Sequence, residues 1–203
     1  MPIFKTKHII IILLLSISIA YYKIIFKGIK WLISFRYLFQ ITQINEKVYL
    51  GSMIDGMNYF KLKSYKIKYI LNCAQYIPNF FPSSFEYKNL PLRDSYREDI
   101  IKYMYETLNF IINSKGNIYI HCIGGISRSV SFVIAYLIFT DNISFDEALK
   151  IVNSKRSLAE PNGHFTRQLK SFEDFIRKNN YDLETLKNIS YEQINTTQNS
   201  TND

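Results

Sequence analysis

Only two cysteines, Cys73 and Cys122, occur in the 203 residues. So few thiols exclude a disulfide framework as the source of stability, and a reducing compartment suits the chain. No internal repeat is evident, and the abundant Tyr, Phe and Ile exclude a wholly disordered polypeptide. Acidic residues are missing from the first 45 positions, which carry Lys5, Lys7, Lys23, Lys27, Lys30 and Arg36. From there on, nineteen basic residues face seventeen acidic ones, so most of the net charge of +8 is N-terminal. The remainder is nearly neutral, and it shows no basic stripe of the kind that would imply nucleic acid.

What the N-terminus has instead is apolar length. Ile9 to Tyr22 is a fourteen-residue run without charge, set between Lys7 and Lys23. A bilayer span needs about twenty residues, a length reached at Phe26 if Lys23 snorkels to the interface. Ile24 to Phe39 stays apolar and aromatic with interspersed Lys and Arg, as an interfacial helix would. The expectation is membrane association through residues 9–26, with residues 1–40 as an anchor. The excess of basic residues after the run places the following domain on the cytoplasmic side. A cleaved signal peptide, with Ser18 and Ala20 before the cut, or an organelle-targeting segment is the alternative.

Beyond residue 41 strands alternate with helices. Strand-like stretches are Glu46–Ser52, Ile67–Asn72, Phe85–Leu90 and Ile118–Ile120. Helical spacing is seen over Asn58–Tyr65, Ile100–Ile112, Val130–Phe139 and His164–Lys178, and Ser144 with Glu147 forms a capping box that starts another helix. This alternation predicts an α/β domain on a central mixed sheet flanked by helices. After Tyr181 the apolar density falls, and residues 181–203 are expected to be a disordered polar tail.

The most informative stretch is Ile118-Tyr119-Ile120-His121-Cys122-Ile123-Gly124-Gly125-Ile126-Ser127-Arg128-Ser129, followed by an apolar helix. A strand carries a thiol into a glycine-containing turn, and a helix starts at its end. Successive backbone N–H groups and the helix's positive end can hold a phosphate's oxygens. Arg128 can grip two of them with its planar fork, and the same field favours the nucleophilic thiolate of Cys122. Cys73, ending an apolar run, reads as a buried core thiol.

This segment resembles the active-site signature of the dual-specificity branch of the cysteine-dependent protein tyrosine phosphatases. Gly124 stands where that branch usually has alanine. Val48–Ser52, Ile70–Asn72, and Arg156–Asn162 with Phe165, Gln168 and Leu169 are similar to other parts of the family's domain. The resemblance covers about residues 41–178, within a catalytic domain placed at 41–180, and implies a phosphatase-like fold. It also implies that Cys122 attacks phosphorus, Arg128 binds the equatorial oxygens and the Ser129 hydroxyl helps the thiolate leave. Ile123, Gly124, Gly125, Ile126, Ser127 and Arg128 would form the phosphate cradle, with His121 in support.

A proton donor to the departing oxygen is also needed. Asp94 follows the Phe85–Leu90 strand and Pro91, and is the first choice. Asp99 is expected to cap the helix beginning at Ile100. The implied activity is hydrolysis of phosphotyrosine and phosphoserine/phosphothreonine in proteins through a phosphocysteine, without metal or other cofactor. Alternatives are a lipid phosphatase at a membrane surface or a catalytically weak phosphate-binding module. With isoleucine at 123 and 126, the loop lacks the lysines that would suit highly charged inositol headgroups.

Overall fold

A computed structural model describes residues 39–187 and 189–194, together with Gly28 and Arg36. The chain divides into two compact units, Met1–Arg36 and Tyr37–Asp203. The anchor expected over residues 1–40 lies almost wholly outside the described residues. Among those that are described, no helix is long and apolar enough to cross a membrane.

Five strands make one sheet: β1 (Thr42–Gln43), β2 (Val48–Ser52), β3 (Ile67–Asn72), β4 (Glu86–Asn89) and β5 (Asn117–Cys122), in the order β1-β2-β5-β3-β4. β1 runs antiparallel to β2, and all other pairings are parallel. The sheet is therefore mixed, with β5 at its centre. Ser52 lies opposite Cys122 and Asn72 opposite His121, so three strand ends meet at the thiol. Parallel strands need a crossover between them; helices supply it between β2 and β3 and between β4 and β5, whereas a loop over 73–85 joins β3 to β4. The helices are α1 (Met53–Gly56), α2 (Tyr59–Ser64), α3 (Met104–Asn113), α4 (Arg128–Asp141), α5 (Phe145–Lys155) and α6 (Gly163–Lys178).

The alternation of β5 sorts its side chains between two cores. Ile118, Ile120 and Cys122 face the larger one, built with α3, α4, α5 and α6. Tyr119 faces the smaller one with Leu62, Ile67, Ile70 and Phe85. From Val130 to Ile138 every residue of α4 is buried, as suits a helix that is apolar on all sides. Ser144 and Glu147 form the expected reciprocal cap at the start of α5. On α6, Phe165, Leu169, Phe172 and Ile176 are buried at helical spacing.

Two expectations are corrected here. The stretch Ile100–Ile112, expected as one helix, opens as a 3₁₀ turn over Ile101–Tyr103 before α3, and Ile112 at its end is exposed. The polar tail expected from 181 is not disordered as far as 194. Leu186 and Ile194 are buried, Leu183, Ile189 and Tyr191 pack on the core, and the Tyr191 amide donates to Asp99 Oδ2 (3.1 Å). Widely spaced apolar residues in a polar context were enough to bury one face of the segment. Residues 195–203 lie outside the described ones.

Candidate active site

β5 ends at Cys122, and the chain then turns through Ile123–Ser127 into α4. Gly125 has φ +66°, and a Cβ there would come within 2.4 Å of the Gly51 carbonyl oxygen. Only glycine fits this position without displacing backbone. The Gly125 amide donates to Cys122 Sγ (3.2 Å), and Ser129 Oγ donates to the same sulfur (3.3 Å). Two donors and the N-terminus of a fourteen-residue helix thus converge on one buried thiol. Such a setting suits an anion held beside the sulfur.

Arg128 is the first residue of α4, and it too is buried. Its Nη1 donates to the Leu92 carbonyl (3.1 Å), which fixes one edge of the guanidinium. Its Nε lies 3.8 Å from Asp94 Oδ2, an ion-pair distance but beyond hydrogen-bond reach, and is left without a hydrogen-bond partner. A buried N–H of a charged group without an acceptor is costly, so the site is built to receive an oxygen.

Asp94 lies in the loop after β4. Its Oδ1 accepts from Ser127 Oγ (2.8 Å) and Asn162 Nδ2 (2.7 Å). The Asn162 Oδ1 meanwhile caps α6 by accepting from the amides of His164 and Phe165. Asp94 is therefore aimed at the thiol loop by a residue of that loop and by the start of the last helix. Asp99 faces away: its Oδ1 accepts from the Ile101 amide (2.8 Å), and its Oδ2 from Tyr191.

His121 is buried on the opposite side of β5 from Cys122, its ring stacked on Tyr119 with centroids 5.4 Å apart. Burial holds its pKa down to about 4, so the imidazole is neutral at physiological pH. The positive field at the thiol comes from backbone dipoles and Arg128 rather than from this ring. Cys73, at the end of β3, is buried and donates its amide to the His121 carbonyl (2.8 Å). Burial, and then the nearby Cys122, push its thiol pKa well up, which keeps it protonated.

One residue of the site was not assigned a role from sequence. Arg156, at the end of α5, is fully buried. Its Nε donates to the Gly125 carbonyl (2.7 Å) and its Nη2 to the Gly124 carbonyl (3.0 Å). Its Nη1 reaches the Gln40 carbonyl (3.1 Å) and Thr42 Oγ1 (3.3 Å). Pulling two loop carbonyls outward turns the adjoining amides inward, towards the thiol. Its thirty-residue separation from the loop hid this role, because nothing local marks it. Arg156→Met should lower kcat/KM about 100-fold, the scale expected when catalytic groups are misplaced by about 1 Å. Thermal melts run beside the kinetics check that the loss is not global unfolding.

The thiol loop, the buried Arg128 and the facing Asp94 carboxylate form one candidate site for an anion. The family model for the dual specificity phosphatase catalytic domain matches residues 48–175, and the chain belongs to that family. It is 36% identical over 138 residues to Protein phosphatase Slingshot of Drosophila melanogaster, covering 66% of this chain and 13% of that protein. It is 37% identical over 131 residues to Dual specificity protein phosphatase 6 of Homo sapiens, covering 62% and 34%. The chain thus spans well under half the length of these relatives. Among solved structures, a human tyrosine phosphatase-like serine/threonine/tyrosine-interacting protein has 29% identity and a TM-score of 0.64. The likeness covers 68% of this chain and 97% of that one. The structure of DUSP15 has 27% identity and a TM-score of 0.64, covering 72% and 94%.

Proposed function

We propose that the chain is a protein phosphatase that hydrolyses phosphotyrosine and phosphoserine/phosphothreonine through a phosphocysteine. The observation that carries this reading is the buried Cys122 sulfur, held by Gly125 N–H and Ser129 O–H beside a guanidinium N–H that has no hydrogen-bond acceptor. Cys122 Sγ attacks phosphorus while the bond from phosphorus to the substrate oxygen breaks. Asp94, as the acid, gives its proton to that oxygen. Loop amides and Arg128 stabilise the charge on the equatorial oxygens throughout. Water then attacks the phosphocysteine, Asp94 takes its proton, the P–S bond breaks and Ser129 O–H donates to the departing thiolate.

Ile123 and Ile126 line the loop, which favours a phosphoprotein over a highly charged inositol headgroup. The anchor reading of residues 1–40 is part of the proposal. The catalytic domain would be held at a membrane through residues 9–26 and would face the cytoplasm.

The reading is tested by comparing wild type with Asp94→Asn on phosphotyrosyl and phosphothreonyl peptides and on p-nitrophenyl phosphate. Wild type should release phosphate from both peptides. The variant should lose about 10²–10³-fold on the peptides, where the leaving oxygen needs a proton, and far less on the activated aryl ester. If Asp99→Asn gives this pattern instead, the acid is misassigned. Hydrolysis of phosphoinositides in preference to both peptides would favour the lipid phosphatase.

A further inference from the structure

The most exposed large apolar side chains of the domain are gathered at one end. Among the described residues, those at least half exposed are Phe39 (50%), Met57 (52%), Phe60 (83%), Tyr76 (83%) and Tyr96 (70%). Strand direction explains where they lie. β2, β3, β4 and β5 are parallel, so their C-terminal ends share the sheet edge that holds Cys122. Met57 follows β2 by way of α1, Tyr76 follows β3 and Tyr96 follows β4. Phe39 precedes β1, which runs antiparallel to β2 with Thr42 opposite Leu50, so the chain enters the domain at this same edge. Phe60 is in the first turn of α2, and the neighbouring Lys61 ammonium donates to the Phe39 carbonyl (2.6 Å) while pairing with Asp55 (2.5 Å). Ile123, in the thiol loop itself, is also exposed.

Basic side chains accompany them. Arg93 and Arg97 are exposed in the loop after β4. The carboxylates of that loop are engaged elsewhere. Asp94 is held by Ser127 and Asn162, Glu98 accepts from the Arg93 amide and pairs with Lys102, and Asp99 caps Ile101.

We propose that this catalytic end of the domain docks on an anionic lipid bilayer. Met57 and Phe60 would enter the headgroup region, with Arg93 and Arg97 at the level of the lipid phosphates. The inference rests on the membrane association proposed above and gives it an orientation. The occupant is argued from the chain itself: the 38 residues that lead into Phe39 contain six basic residues, no acidic ones and the fourteen-residue uncharged run. Stable attachment generally takes two signals, such as an apolar anchor and a basic patch. Aromatic rings and basic residues suit the boundary between headgroups and acyl chains. It follows that the thiol loop faces the bilayer, and that its substrates carry their phosphate close to a membrane surface.

The test uses the full chain with vesicles of phosphatidylcholine, with and without phosphatidylserine. Hydroxyl-radical footprinting read by mass spectrometry should show Met57 and Phe60 protected when the anionic vesicles are bound. The Met57→Ser/Phe60→Ser variant should hydrolyse a lipid-tethered phosphotyrosyl peptide roughly tenfold more slowly than wild type, while the same peptide free in solution is turned over at an unchanged rate. Vesicle binding with Met57 and Phe60 still fully reactive overturns the docking face but leaves membrane attachment standing. Failure to bind any vesicle overturns both. Protection by a soluble phosphopeptide without vesicles assigns the face to protein substrates and overturns the lipid assignment.

Discussion

Cys122→Ser should abolish turnover, by about 10⁴-fold or more, because no other group in the site can form the covalent intermediate. Ser129 Oγ is close, but it donates its proton to the sulfur at 3.3 Å and lacks a base of its own. A serine at 122 would stay protonated near neutral pH and would be a poor nucleophile. The cradle depends on other residues: the Gly125 turn, the Arg156 contacts to the Gly124 and Gly125 carbonyls, and Arg128. Affinity for a phosphotyrosyl peptide, measured by calorimetry, should therefore be largely retained. Hydrolysis of p-nitrophenyl phosphate at near wild-type rate would sink the phosphocysteine mechanism. Loss of both turnover and binding would show that the thiol also supports the loop's shape.

Arg128→Lys should be almost as damaging despite keeping the charge, costing about 10²–10³-fold in kcat/KM together with a loss of phosphopeptide affinity. The guanidinium uses one edge on the Leu92 carbonyl and leaves Nε free to meet an oxygen, and it lies within 3.8 Å of Asp94. A single ammonium cannot hold the backbone carbonyl and a phosphate oxygen in the same plane. It would also leave a buried acceptor without its donor. Unchanged turnover and unchanged binding of tungstate would remove Arg128 from the phosphate site. Loss of turnover with affinity retained would instead mean that the fork acts on the transition state alone.

Much of this architecture was legible before folding was considered. Ile67–Asn72 and the helix from Ser144 announced themselves locally, the first by a compact apolar run and the second by its capping box. The thiol loop was equally legible, because phosphate cradles are made from consecutive residues whose chemistry lies in the backbone and one helix start. Three features were not. β1 is two residues long and exists only because β2 offers it an edge. The segment 181–194 packs although its composition is polar, because a few apolar side chains at suitable spacing suffice when a core surface is available. Ile112 fits the helical spacing of its neighbours yet stays exposed, since the width of the buried stripe is set by what packs against it.

The sequence by itself determined the chemistry that is local in the chain: the thiol ending β5, the glycine at +66°, the arginine opening α4 and the helix field behind them. It also determined the asymmetry of charge, with every acidic residue placed after position 45. Tertiary structure alone decided that Asn162 and Arg156 would serve that loop, and it brought the expected Asp94 against it. Asp94 meets it from 33 positions before Ser127, Asn162 from 35 after, and Arg156 from 31 after Gly125. The parallel sheet is what brings the strand ends together. Contacts across such separations leave no periodic trace in composition or spacing, because they are fixed by the packing of whole elements rather than by neighbours along the chain.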